Sequence, residues 1–152
     1  MSEGAAGGPH RFEVRVYYED TDAGGVVYHA SYLRFAERAR TELLRALGFD
    51  HRGLRARFGG LLAVRRLAID YRAPARLDDR LEVETEPVRT SGARLALVQT
   101  IRRGPDTLAR LEVEIVFLGT DGRPSRLPAP LRAALAEAAA PSAGLPGCSP
   151  RA

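Results

Sequence analysis

Apolar and polar residues alternate near the start of the chain, with Phe12, Val14, Val16 and Tyr18 set between Glu13, Arg15, Tyr17 and Glu19. A period of two places the apolar set on one face and predicts a half-buried strand. Residues 20–25, with their paired glycines, break the pattern. The period then lengthens: Tyr32, Phe35, Ala36, Ala39, Leu43, Ala46 and Leu47 recur at steps of three and four, which predicts an amphipathic helix with Gly48 as its C-terminal cap. On its polar face, Arg34 with Glu37 and Arg38 with Glu42 are spaced to meet. From 61 to 119 the period returns to two in four segments: Leu61, Ala63, Leu67, Ile69 and Tyr71; Leu81 and Val83; Leu95, Leu97 and Ile101; Leu111, Val113, Ile115 and Phe117. Turn residues at 76–79, 91–92 and 104–106 separate them by short connections, so antiparallel neighbours are expected. A short helix over 129–139 ends the pattern.

One strand, a long helix and four more strands make an α+β plan, a single sheet of about five strands with one principal helix to cover. A helix of about 18 residues is roughly 27 Å long, comparable with strands of eight to twelve residues, so the sheet can wrap it. The 152 residues suit one domain, with an apolar fraction of 45% and a charged fraction of 28% in the ordinary globular range. Residues 1–10 and 141–152 are rich in Gly, Ala, Pro and Ser without hydrophobic period and are expected to be tails around a domain at 11–140. The single cysteine, Cys148, excludes a disulfide framework and a multi-cysteine zinc site, and makes a reducing, cytoplasmic location the expectation. No apolar run reaches the roughly 20 residues of a membrane span, and the first ten residues do not resemble a secretory leader. The net charge is +4 and all 23 basic residues are arginine, a pattern closer to coding bias than to a nucleic-acid surface. No basic stretch is interleaved with aromatics, so no nucleic-acid partner is expected.

Ionisable and special-backbone residues concentrate between the first strand and the long helix. Over 17–29 lie Glu19, Asp20, Asp22, Gly24, Gly25 and His29. Backbone N–H groups at a helix N-terminus have no partners inside the helix and carry partial positive charge, so a carbonyl oxygen placed there is polarised. A neighbouring carboxylate can attack the polarised carbon or activate water toward it. Plainer readings fit the same residues: Asx turns at Asp20 and Asp22, positive φ at the glycines, and a capping or core role for His29. A calcium loop beginning at Asp20 fails where Ser31 stands in place of the closing glutamate. A transition-metal site at Asp20, Asp22 and His29 lacks a further histidine, since His10 and His51 lie well away in sequence. No metal and no cofactor are expected. Val26, Val27 and Tyr28 are apolar in a polar loop, which suits an acyl pocket or an intersubunit seam.

The run Tyr18-Glu19-Asp20-Thr21-Asp22-Ala23-Gly24-Gly25-Val26-Val27-Tyr28-His29, followed by Tyr32-Leu33-Arg34-Phe35 and Glu37-Arg38-Ala39-Arg40, resembles the signature of the 4-hydroxybenzoyl-CoA thioesterase-like hotdog family, and within it the Tol-Pal system-associated acyl-CoA thioesterases. Asp70-Tyr71-Arg72-Ala73-Pro74-Ala75 and Leu127-Pro128 extend the likeness over about 11–135. The resemblance implies a hotdog fold, cofactor-free hydrolysis of an acyl-CoA thioester, and an active site at the interface of a homodimer or of a dimer-of-dimers tetramer. It implies Asp22 as the catalytic carboxylate and His29 as its partner. Gly24 and Gly25 would admit the thioester to the backbone, and the His29 amide or a neighbour would donate to the oxyanion. His29 stands where the aromatic-acyl branch carries tyrosine, which favours a fatty acyl substrate. Arg102 and Arg103, beside the turn at Gly104, are candidates for the CoA phosphates. Two other classes are weighed: a hotdog hydratase or dehydratase, and a noncatalytic partner of acyl carrier protein or of an envelope complex. Acyl carrier protein is also an alternative donor of the substrate.

Overall fold

A computed structural model of the protein describes residues 8–139. The elements are β1 (His10–Arg15), α1 (His29–Ala46), α2 (His51–Phe58), β2 (Leu61–Tyr71), β3 (Arg80–Ser91), β4 (Arg94–Arg103), β5 (Asp106–Leu118) and α3 (Ala129–Ala139). All five strands form one antiparallel sheet in the order β1-β3-β4-β5-β2. This is the α+β hotdog plan that the periodicities and the resemblance lead to.

The registers explain the layering. Leu97 stands opposite Val113, Val113 opposite Leu67, and Phe12 opposite Val83, so one face of the sheet is apolar across its width. Phe35, Ala36 and Ala39 of α1 are fully buried with Val83, Ile101 and Leu111 of the sheet. Each large side chain buried this way contributes roughly 1.5–3 kcal/mol. At the centre of that layer Gln99 is completely buried and ties helix to sheet. Its Nε2 donates to the Ala36 carbonyl at 2.9 Å and to Thr85 Oγ1 at 3.0 Å, while Arg40 Nη1 donates to its Oε1 at 3.0 Å. A buried amide left without these partners would cost about 1–3 kcal/mol, so the contact fixes how α1 crosses the strands.

The structure differs from the sequence expectations in four places. His10, assigned to the tail, begins β1, and that strand ends at Arg15 rather than running to Tyr18. Tyr18 is 82% exposed, in a 3₁₀ turn (Tyr18–Asp20), because the Asp20 carboxylate draws the backbone round by accepting the Tyr17 amide at 2.8 Å. Glu42 pairs with Arg45 at 2.6 Å, not with Arg38. Helix α2 has no counterpart in the periodicity: it buries only Leu54 and is defined by its ends, where Asp50 Oδ1 accepts the Gly53 amide at 2.6 Å and Gly59 closes at φ +68°. Most of both expected tails, and Cys148, lie outside the described residues. Among the described residues no helix is long and apolar enough to cross a membrane.

Candidate active site

Residues 20–28 form a small antiparallel hairpin between β1 and α1. Tyr28 N–H donates to the Asp20 carbonyl at 2.9 Å, Thr21 lies opposite Val27, and Asp22 N–H donates to the Val26 carbonyl at 2.8 Å. The tip closes where Gly25 N–H donates to the Asp22 carbonyl at 3.0 Å, with Gly25 at φ +84°, a region that any side chain would strain.

Two carboxylates two residues apart meet opposite environments. Asp20 is 4% exposed and points back into the chain, its Oδ2 holding the Tyr17 amide. Asp22 is exposed. Its Oδ1 accepts the amides of Gly24 at 2.8 Å and Val26 at 3.4 Å, and its Oδ2 has no partner among the described residues. The Asx-turn reading and the catalytic reading therefore coexist in one side chain. One oxygen orients the group and the other faces outward. Gly24 suits this turn for a further reason: a Cβ there would stand 3.3 Å from Asp22 Oδ1.

The hairpin leads straight into α1. Tyr28 occupies the N-cap without a side-chain cap, and no acidic residue stands in the first turn. Ser31 N–H donates to the Tyr28 carbonyl and Ser31 Oγ to the Asp20 carbonyl at 3.2 Å, whereas the His29 and Ala30 amides meet no acceptor among the described residues. An uncapped helix end with free amides offers ready hydrogen-bond donors to an oxyanion. The His29 ring is exposed and lies 4.4 Å, centroid to centroid, from the Tyr28 ring. No hydrogen bond or ion pair joins His29 to Asp22 within the chain. Of the apolar trio, Val27 is buried in the core, Val26 half-buried and Tyr28 46% exposed, so only Val26 and Tyr28 present surface beside the hairpin.

A second segment, 71–79, braces the first. Tyr71 Oη donates to the His29 carbonyl at 2.8 Å, and Tyr32 Oη accepts the Ala75 amide at 3.0 Å with its ring edge-on to Tyr71. Burial pushes both phenols above their ordinary values and outweighs the lowering by the Ala75 amide at Tyr32, so both stay neutral hydroxyls. Val27 N–H donates to the Ala75 carbonyl at 2.8 Å, and Val26 bridges Arg76. Sequence reasoning named neither tyrosine as a site residue, although Tyr71 is the second residue of the motif that begins at Asp70, and Tyr32 begins the run Tyr32-Leu33-Arg34-Phe35.

Arg102 and Arg103 are engaged within the chain. Arg102 Nε donates to Glu84 at 3.1 Å and its Nη1 to Thr107 Oγ1 at 3.1 Å, while Arg103 Nη1 donates to Asp79 at 2.8 Å and to the Pro74 carbonyl at 3.2 Å. A groove lined by Pro87, Val88, Leu135 and Ala136 lies toward the end of β3 away from the 76–79 turn. It takes no part in this chemistry. Among the described residues no three His, Cys, Asp or Glu side chains gather into a group that could hold a metal.

Residues 16–138 match the thioesterase-like superfamily. The chain is 50% identical over 111 residues to the acyl-CoA thioester hydrolase YbgC of Escherichia coli, covering 73% of this chain and 81% of that protein. It is 51% identical over 104 residues to the acyl-CoA thioesterase YbgC of Haemophilus influenzae, covering 68% and 76%. Among solved structures, a probable thioesterase from Bartonella henselae superposes with a TM-score of 0.76 at 41% identity, over 79% of this chain and 99% of that one. A 1,4-dihydroxy-2-naphthoyl-CoA thioesterase from Synechocystis superposes with a TM-score of 0.80 at 26% identity, over 88% and 100%. The hairpin, the open helix end and the five-stranded sheet thus occur in a chain that belongs to the thioesterase-like superfamily and is a thioester hydrolase with the hotdog fold.

Proposed function

We propose that the protein hydrolyses fatty acyl-CoA thioesters to the free acid and CoA, with Asp22 as the reacting carboxylate and the N-terminus of α1 as the oxyanion site. The observation that carries this reading is the half-occupied Asp22 carboxylate, oriented by Gly24 and Val26 and open at Oδ2, one hairpin away from the free amides of His29 and Ala30. The thioester carbonyl rests against those amides, and charge developing on its oxygen is met by N–H donors already in place. Asp22 then acts by one of two routes. Its oxygen attacks the carbonyl carbon and expels the CoA thiolate, leaving a mixed anhydride that water hydrolyses, or it takes a proton from a water that attacks directly. In both, water supplies the new carboxylate oxygen and the thiolate ends as a thiol. Trapping of an acyl-enzyme by hydroxylamine marks the first route. His29, at the helix end, serves the leaving group or the water.

Two copies complete the site in this reading. Strand β2 is an edge strand of 11 residues with Leu61, Val64 and Tyr71 exposed and no strand on its outer side among the described residues, a length of edge that natural proteins rarely leave open. Pairing β2 with its symmetry mate extends the sheet and brings Tyr71, bonded to His29, to the seam. Val64→Lys is expected to leave a monomer in sedimentation, and an active monomer at nanomolar concentration would contradict the interface. The working location is the cytoplasm, where acyl-CoA is made and used.

The substrate reading is tested by a panel of saturated acyl-CoAs of different lengths, one aromatic acyl-CoA and crotonyl-CoA, with free thiol and double-bond hydration measured in parallel. Thiol release from the saturated fatty acyl members, unaffected by EDTA, is expected. Release confined to the aromatic substrate, or hydration without release, would overturn it.

A further inference from the structure

The segment from Pro74 to Arg76 is the support against which the returning limb of the Asp22 hairpin lies, and all its backbone polar groups are occupied. Pro74 has no N–H, and its carbonyl accepts from Arg103 Nη1 at 3.2 Å. The Ala75 amide goes to Tyr32 Oη and its carbonyl to Val27. The Arg76 amide goes to Asp79 Oδ2 at 2.9 Å and its carbonyl accepts the Asp79 amide at 3.1 Å. Asp79 Oδ2 also holds Arg103 at 2.8 Å. The guanidinium of Arg103, the last residue of β4, thus pins both ends of the segment to the sheet. The turn it closes carries Asp78 at φ +70°, the left-handed region that aspartate tolerates better than most non-glycine residues.

We propose that Arg103 and Asp79 are positioning residues for the reaction: they clamp residues 74–76, which fix the height of Val26 and Val27 and through them the Asp22 carboxylate and the entrance to α1. This rests on the reading of Asp22 as the reacting group. It reassigns Arg103 from a CoA-phosphate contact to the scaffold. Misplacement of a reacting group by about 1 Å costs up to a hundredfold in rate, whereas loss of a distant phosphate contact weakens binding alone.

The two roles separate on two substrates, a full acyl-CoA and the same acyl group on N-acetylcysteamine, which lacks the nucleotide. For a clamp, Arg103→Ala lowers kcat about tenfold on both substrates with KM changed less than threefold, Arg103→Lys restores part of the loss, and Asp79→Asn lowers kcat comparably. The double variant Arg103→Ala with Asp79→Asn then loses little more than either single, because one interaction has been removed twice. If Arg103→Ala does not fold, Arg103→Lys and Asp79→Asn are read by the same kcat and KM criteria. A raised KM for acyl-CoA alone, with kcat unchanged and the truncated substrate indifferent, would overturn the proposal and restore Arg103 to the nucleotide. Asp22→Asn is run beside them: if it keeps wild-type turnover, the reading of the site has failed, and if it is inactive while the clamp variants behave as wild type, only the clamp has failed.

Discussion

Two acidic turns meet at Val27 and Ala75, and their carboxylates are used in opposite ways. In the 76–79 turn, Asp79 Oδ2 accepts both a backbone amide and a guanidinium. In the hairpin, Asp22 Oδ1 is held by two amides while Oδ2 has no partner among the described residues. The occupied acid maintains a shape, and the half-occupied acid is oriented yet still able to react. Asp20 belongs with Asp79: buried and bonded, it is the reason the chain turns before Asp22 arrives.

This contrast can be broken most severely at Asp20. Asp20→Ala removes the acceptor for Tyr17 and opens a space under the 3₁₀ turn; a loss of about 1–2 kcal/mol, read as a Tm lower by several degrees, is expected. An unchanged Tm would place Asp20 outside the scaffold. Gly25→Ala is expected to cost about 1 kcal/mol through its positive φ and to lower turnover by loosening the Asp22 turn, both measured on one preparation. Equal Tm and turnover would show that the tip tolerates a side chain.

Acidification acts on the Asp79 turn, with a smaller expected effect. Burial raises the Asp79 carboxyl, but the Arg76 amide, the bond to Arg103 and the charges of Arg103 and Arg76 outweigh it and hold the group below its ordinary value. A carboxyl lowered in the folded state contributes stability above its unfolded pKa and loses it as the pH falls through the folded value. The pair is partly exposed, so the contribution is at most about 1 kcal/mol. Asp79→Asn is therefore expected to lose slightly less Tm than the wild type between neutral and strongly acid pH, and parallel curves would contradict the clamp's charge.

How much of this was legible beforehand follows from which physics each feature uses. The four later strands and α1 follow from hydrophobic period, since their faces pack on one core. Helix α2 escaped because Leu54 is its only buried residue and its ends are set by Asp50 and Gly59, a capping signal with no apolar stripe behind it. The early end of β1 escaped because Tyr18 continues the alternation while Asp20, two residues on, bends the backbone away. At the site, Asp22, Gly25 and the open helix end were readable from residue type and order. The bracing by Tyr32, Tyr71, Asp79 and Arg103 joins residues far apart in sequence, and no local pattern announces it. Arg103 illustrates the limit, since a strand-end arginine fits a phosphate as well as an ion pair until Asp79 and Pro74 are seen beside it.

The most direct test of Asp22 as the reacting group is the turnover of Asp22→Asn on the acyl-CoA that the wild type cleaves fastest, with free thiol as the readout, folding verified by Tm and substrate binding measured on the same protein. The substitution keeps the size of the side chain and its acceptor for Gly24 and Val26 but removes the anionic oxygen. Turnover at least about a hundredfold lower, equivalent to roughly 2.7 kcal/mol of barrier, with binding retained, is the expected result. Wild-type turnover by a folded Asp22→Asn protein would contradict it.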